Sequence, residues 1–299
     1  MCRQPANFAE EVAVDDAQQD DTRSEMGASI ASSSTSLLSS LLEHRRENGR
    51  TYHRYKEGKY NMPNDEQELD RLDLIHNMCL MSLDDRLGLA PQCQEGATVG
   101  RVLDVGTGTG TWAIDFGDEH PEAEVLGVDL SATQPGHNLE PGGSLELHET
   151  DIYTRSDDGS LKPEHALYKW AQFLMESSTK LGAAWIDPPK LKDLMIEAGF
   201  EGVSMSTYKW PTNTWPKDKK FKELGMWNHE NFMQGVEGMS IAPFTRALNW
   251  TPEEVAVFLI DVRKDGKDHS IHAYWPQFRY IFVGRKPEKA KETPAPAAV

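Results

Sequence analysis

No stretch of the 299-residue chain approaches the roughly 20 consecutive apolar residues that cross a bilayer, so a membrane-spanning role is not expected. The start of the chain lacks the apolar run of a signal peptide and carries Glu10, Glu11, Asp15 and Asp16 instead, which argues against secretion. Cysteine is scarce: Cys2, Cys79 and Cys93 form no CxxC and leave one thiol over in any disulfide scheme, which suits a reducing compartment. Basic residues are in deficit, 31 against 48 acids for a net charge of −17, so direct binding to nucleic acid is disfavoured. Seven acids and two arginines in residues 1–25 exaggerate that figure. There is no internal repeat and no Gly-Lys-Ser/Thr phosphate loop. No Ser-His-Asp or Cys-His arrangement stands out, and His269 with His272 lack the third ligand of a metal site.

What the chain does have is Val102-Leu103-Asp104-Val105-Gly106-Thr107-Gly108-Thr109-Gly110, followed by the apolar run Val125-Leu126-Gly127-Val128 and then Asp129. An apolar strand running into alternating glycines makes a tight turn without side chains, so a ligand can lie against the backbone. The helix that follows points free N–H groups at that ligand, and an acid at the tip of the next strand suits a vicinal diol such as a ribose. Glycines alone would make an ordinary loop; the ordered run of strand, glycines, helix, strand and acid is what points to a ligand. A dinucleotide fingerprint needs Gly-x-Gly-x-x-Gly, but here the third glycine comes one residue early, at Gly110, and Thr111 follows.

Asp104-x-Gly106-x-Gly108-x-Gly110 resembles motif I of the class I S-adenosylmethionine-dependent methyltransferases. The resemblance narrows to the fungal LaeA-like (TAM-domain) methyltransferases through several further runs. Before the glycines stand Arg50-Thr51-Tyr52-His53 with Tyr60, then Pro63-Asn64-Asp65-Glu66 and Asp70-Arg71-Leu72-Asp73. After them come Thr111-Trp112-Ala113-Ile114-Asp115, Asp129-Leu130-Ser131, Ser270-Ile271-His272-Ala273-Tyr274-Trp275-Pro276 and Gly284-Arg285-Lys286-Pro287. The resemblance implies an α/β, Rossmann-like sheet with an N-terminal helical cap, and S-adenosylmethionine as cofactor. It implies that Asp104, Gly106, Thr107, Gly108 and Gly110 run along the methionine part of the cofactor, and that Asp129, with Leu130, takes its ribose. Tyr52 and Tyr60 are the candidates on the cap and substrate side. It supplies no catalytic residue and no metal.

One departure matters. The family places two further βα units, roughly 60 residues, between its ribose acid and its Pro-Gly-Gly turn. Here Asp129 and Pro141 are twelve positions apart, as if fused near Gly136–His137. The sheet is thus expected to be incomplete, without its third and fourth strands. Since the family's order is 3-2-1-4-5-7-6, its first and fifth strands would have to pair directly. The crossover, on the order of 40 Å when extended, brings no helix to cover the sheet, so a bare apolar face is expected. The adenine-side acid and the fourth-strand end go with the deletion. Three functional readings stay open: a methyltransferase impaired by the loss, a non-catalytic relative that binds a protein partner through its N-terminal helices, and an incomplete gene model. The acceptor is a small molecule or a protein, with a link to secondary metabolism, and the expected location is cytoplasmic or nuclear.

Local patterning completes the outline. Residues 1–45 read as an acidic, Ser-rich, mostly disordered tail, in which Leu37, Leu38, Leu41 and Leu42 could form a short helix. Residues 46–287 read as the methyltransferase-like domain: a cap over 46–100, a cofactor half over 101–136 and a C-terminal half over 137–287. Residues 288–299 form a second disordered tail. The pattern predicts a helix over 64–88, capped by Asn64 with Gln67 reaching back, and burying Leu69, Leu72, Ile75, His76, Met78 and Cys79. His76 reads as a packed histidine. Strands are predicted over Ser144–Glu149, Val203–Lys209 and Phe278–Gly284. Helices are predicted from Pro163, from Asp187 as cap, and from the capping box Thr251-Pro252-Glu253-Glu254. Residues 211–244, rich in Trp, Met, Lys and Asn, read as an insertion over the sheet that either covers it or shapes a substrate pocket.

Overall fold

The computed structural model describes residues 44–53, 60–129, 139–182, 185–275 and 279–288, all within the unit Leu41–Val299. The leucine segment at 37–42, Leu130, the junction at Gly136–His137 and most of both expected tails lie outside the described residues.

The glycine motif folds as its sequence suggests. Strand β3 (Arg101–Val105) runs into the glycine turn, helix α2 (Thr111–Glu119) follows, and β4 (Glu124–Val128) returns parallel to β3, pairing Leu103 with Leu126 and Val105 with Val128. Helix α2 buries Phe116 against Leu87 and Val99, and Trp112 stacks on Phe116 at 5.0 Å between ring centroids. The other side of the pair is bare: Leu103 is 39% and Val105 75% exposed. Side chains alternate along a strand, so the residues that would meet a covering helix meet solvent.

The expected direct pairing of the family's first and fifth strands does not occur. Strand β5 (Ser144–Thr150) joins β9 (Arg279–Arg285), which joins β7 (Glu201–Tyr208), in a three-stranded antiparallel sheet, while β3 and β4 stand as a separate two-stranded sheet. Side chains make the link that a ladder would have made. Glu146 of β5 accepts the backbone N–H of Leu89, at 2.9 Å, and of Ala90, at 2.5 Å, in the loop leading to β3. A carboxylate holding N–H groups is a strong tie, and it fixes β5 to that loop instead of to the β3 edge. Two small antiparallel pairs complete the described strands: β1 (His44–Glu47) with β2 (Arg50–His53), and β6 (Arg155–Ser156) with β8 (Ala273–Tyr274).

The helices form the main core. Helices α1 (Glu66–Ser82), α3 (Ala166–Lys180), α5 (Lys219–Ala247) and α6 (Pro252–Lys267) pack together, with α4 (Pro189–Glu197) on the antiparallel sheet. Trp170, Phe232, Val236, Phe244, Val255, Leu259 and Trp275 are fully or nearly fully buried in one cluster. The expected Thr251–Glu254 capping box forms, with Glu254 N–H donating to Thr251 Oγ1 at 3.2 Å and Thr251 N–H to Glu254 Oε2 at 2.8 Å. No helix of the described residues is long and apolar enough to cross a membrane.

Several local expectations need correction. The segment 211–244 is no insertion over the sheet: from Lys219 it is part of a 29-residue helix packed against α1, α3 and α6. Its glycines weaken a helix pattern in the sequence, yet they permit close contact. A Cβ at Gly235 would stand 2.7 Å from Arg71 Cδ, and one at Gly238 2.9 Å from an Arg50 guanidinium nitrogen. Helix α1 is capped by Asp65, not Asn64, and Gln67 donates to the Gln234 carbonyl of α5 at 3.1 Å instead of reaching back. It ends at Ser82, before 88, where Asp84 and Asp85 take positive φ. Nor is its buried face the apolar stripe alone. Leu69 is 42% exposed, while Glu68 and Arg71 are buried as an ion pair at 2.5 Å, with Arg71 also donating to Asn231 at 2.9 Å. Similarly, α4 is capped by Pro188 instead of Asp187, and its Leu194 faces out.

Candidate functional site

Gly106, Gly108 and Gly110 take φ of 82°, 54° and 82°, a region that costs other L-residues free energy. The turn is closed by backbone bonds: Gly106 and Thr107 N–H donate to the Val128 carbonyl at 2.7 and 3.0 Å, and Gly110 N–H to the Thr107 carbonyl at 2.8 Å. Asp129, at the tip of β4, accepts the Gly108 N–H at 3.0 Å, so the acid and the glycine loop are one hydrogen-bonded unit. A Cβ placed on Gly106 or Gly110 would meet nothing within 4 Å, and on Gly108 only Leu72 Cδ1 at 3.5 Å. The loop therefore presents bare backbone to open space, a cradle of the kind that a ligand lying on glycines requires.

Helix α1 frames this loop. Thr111 Oγ1 donates to Asp73 Oδ1 at 2.8 Å and lies 2.9 Å from Thr109 Oγ1, so α1 holds the first turn of α2. His76 Nε2 bonds to Asp115 Oδ2 at 2.7 Å, which makes His76 a strut between α1 and α2. Asp73 and Thr111 belong to the family-like runs, yet the sequence assigns them no role; their partnership spans 38 positions and no local periodicity reports it.

Asp104 lies on β3 just before the turn. Burial pushes its carboxyl above the usual range; the Thr107 hydroxyl pulls it down, the charge of Asp129 adds to the rise, and His148 opposes it. Tyr60 is partly exposed and edge-on to His53 at 6.0 Å. Its hydroxyl is pushed up by burial and by the charges of Glu68 and Asp129, against the charge of Arg71. Tyr52 is placed differently. It is buried under the Arg246 guanidinium, 5.1 Å from the ring centroid, and burial pushes its hydroxyl up to about 12. Its charged neighbours are Arg246, Glu47, Arg50 and Asp65, none of them in the glycine loop.

Close by on β5, His148 Nε2 bonds Glu146 Oε1 at 2.7 Å. Among the described residues no group of three or more His, Cys, Asp or Glu is arranged to hold a metal. Two surface hollows lie elsewhere, one between the β1–β2 turn and α5–α6 at Asn48, Ile241 and Leu259, the other at Asn213, His229 and Lys267. Neither of these two includes a residue of the glycine loop.

No family model matches the chain. Curated relatives do. Methyltransferase pytC of Aspergillus terreus is 35% identical over 303 residues, covering 86% of this chain and 92% of its own length. The probable methyltransferase tdiE of Emericella nidulans is 31% identical over 265 residues, covering 74% of this chain and 82% of its own length. The secondary metabolism regulator laeA of Aspergillus fumigatus is 32% identical over 292 residues, covering 81% and 76%. Among solved structures, a phosphoethanolamine N-methyltransferase of Haemonchus contortus is similar at a TM-score of 0.35 and 13% identity, covering 74% of this chain and 58% of its own. The pytC alignment has 303 positions but spans 86% of 299 residues, about 257, so about 46 positions face no residue of this chain. The same comparison gives about 44 for tdiE, 265 against about 221, and about 50 for laeA, 292 against about 242.

Proposed function

The chain belongs to the fungal methyltransferases of secondary metabolism related to laeA, and on that premise we propose that it binds S-adenosylmethionine on the 104–110 loop with Asp129 at the ribose. The observation that carries this reading is the Gly108–Asp129 unit: bare backbone at Gly106 and Gly110, and a carboxylate aimed by the Gly108 N–H. When bound, the cofactor supplies a methyl group already activated on a sulfonium, so the residues have mainly to orient it and exclude water. Gly106 to Gly110 would lie along its methionine part, Asp129 would take the ribose hydroxyls, and Asp73 would hold the start of α2 in place. Tyr60 would close over the acceptor. The acceptor class is a small molecule or a protein.

The activity is impaired in this reading. The short 129–141 connection removes the adenine-side acid and the strand end that faces substrate in the family. The 44–50 unmatched positions support a loss of this kind. So does the exposed β3 face, since methyl transfer depends on a dry, aligned pocket. Losing several contacts at about 1 kcal/mol each takes a micromolar site toward millimolar. The exposed apolar face of β3 also favours a second reading, a non-catalytic relative that acts by binding a partner.

Titration calorimetry with S-adenosylhomocysteine tests the assignment. Weak binding to the wild type that falls at least ten-fold in Asp129→Ala and Gly108→Val supports it. Equal affinity in all three proteins removes the site from the glycine loop. Low-micromolar affinity in the wild type removes the impairment. Sequencing the transcript across the codons for Gly136 and His137 decides whether the short connection belongs to the protein made in the cell.

A further inference from the structure

Gly127 lies inside β4, opposite Asp104 in the register, and takes no positive φ. A glycine in a strand interior weakens the strand, so where its backbone angles are ordinary the remaining reason for it is space. Thr107 takes that space. A Cβ on Gly127 would stand 2.7 Å from Thr107 Oγ1, 3.1 Å from its Cβ and 3.2 Å from its Cγ2. Ordinary contacts between carbon atoms are about 3.5–4.0 Å. Both branches of the threonine therefore fill the gap that the missing side chain leaves.

We propose that Gly127 is a positioning residue for the glycine loop: its bare Cα is the seat of the Thr107 side chain, and that seat sets the loop backbone for the methionine part of the cofactor. This rests on the reading of the loop as the S-adenosylmethionine cradle, and it adds a residue outside the Asp104–Gly110 run.

Thr107 cannot leave the seat by turning its side chain. It is branched at Cβ and stiff at χ1. Its two heavy branches fill two of the three staggered positions, and both of those positions face Gly127. Every rotation leaves one of them occupied, and the Thr107 Cβ does not move at all. A side chain at 127 must therefore push the Thr107 backbone. That backbone closes the turn. Thr107 N–H donates to the Val128 carbonyl at 3.0 Å, beside Gly106 N–H at 2.7 Å, and the Thr107 carbonyl accepts Gly110 N–H at 2.8 Å. The next N–H, that of Gly108, is the one Asp129 accepts at 3.0 Å. Lifting Thr107 off β4 strains all of these bonds together and carries Gly106 and Gly108 away from the ligand's path.

Amide hydrogen exchange of the unliganded full chain, resolved residue by residue, reads the loop without any ligand. Gly127→Ala should speed exchange at Gly106, Thr107 and Gly110 by at least about ten-fold, with the amides of Phe232 and Val236 in α5 unchanged. Thr107→Ala empties the seat, so Gly127→Ala made in that background should change the Gly106 and Gly110 amides by less than about three-fold. S-adenosylhomocysteine affinity by calorimetry should fall several-fold in Gly127→Ala, and adding Gly127→Ala to Thr107→Ala should lower it no further. Loop exchange at the wild-type rate in Gly127→Ala, or equal acceleration in both backgrounds, overturns the proposal. So does an affinity that stays at the wild-type value while the loop amides speed up. Should Gly127→Ala fail to fold, the double variant decides: a folded protein with a protected loop supports the seat, and an unfolded one overturns it. A wild type that binds no S-adenosylhomocysteine ends the cofactor reading, while the exchange rates still decide whether Gly127 sets the loop.

Discussion

Two glycine-to-alanine changes on two helices are expected to move stability in opposite directions. Gly225 lies in α5, where an added Cβ would stand 2.2 Å from the Asn213 carbonyl oxygen and 2.9 Å from its carbon. That backbone cannot step aside cheaply. Asn228 Nδ2 donates to the Pro211 carbonyl at 3.0 Å, and Asn213 Nδ2 donates to the Gly266 carbonyl at 3.1 Å, so residues 210–213 are pinned on both sides. Alanine gains about 1 kcal/mol of helix propensity over glycine. An overlap of about 1 Å against fixed backbone costs about 1–3 kcal/mol in strain, and breaking one buried amide bond adds about 1–3 more. The net is a loss of about 1–5 kcal/mol, or about 2–20 °C in melting temperature for a domain of this size. Gly117 in α2 has nothing within 4 Å of its missing Cβ and no positive φ, so Gly117→Ala keeps only the propensity gain. It should raise stability by about 1 kcal/mol, or about 2–4 °C. Urea melts followed by far-UV circular dichroism measure both. A Gly225→Ala protein as stable as the wild type would refute the packing of α5 against residues 210–213, and a destabilised Gly117→Ala would refute the open surface of α2.

Three further outcomes are expected. Asp73→Ala removes the acceptor for Thr111 and should cost about 1 kcal/mol of stability together with a several-fold loss in S-adenosylhomocysteine affinity by calorimetry; unchanged affinity would detach α1 from the glycine loop. Val105→Thr should lower the fluorescence of the dye ANS without lowering the melting temperature, because that side chain already faces water; an unchanged signal would mean the β3 face is covered in solution. The Arg50 guanidinium holds the Asp65 carboxyl below the usual carboxylate range. A depressed folded pKa contributes stability that is present above the unfolded pKa and is lost as pH falls through the folded one. Acid denaturation of Arg50→Met should therefore lose part of the wild type's slope below about pH 4, and an identical slope in both proteins would contradict the pairing.

How much of this is legible in the residues depends on the range of the interaction. The strand, glycine turn, helix and strand over 101–129 follow from neighbours in the chain: alternating glycines that need positive φ, an apolar run on either side and an amphipathic helix between. The Thr251 capping box is likewise local, complete within four residues. The resemblance to the laeA relatives rests on such short runs, and the relatives' identity over most of the chain bears it out. Only the tertiary structure decided that β5 lies on β9, because strand pairing depends on which edge is within reach and not on the strand's own pattern. The same holds for α5, whose glycines weaken the helical pattern in one dimension and permit contact with Arg50 and Arg71 in three. It holds for Glu68 and Arg71, charged residues that sequence places in water and that Asn231 and each other make tolerable inside. Periodicity reports the face a residue occupies on its own element; which partner that face meets is set by packing across the whole chain.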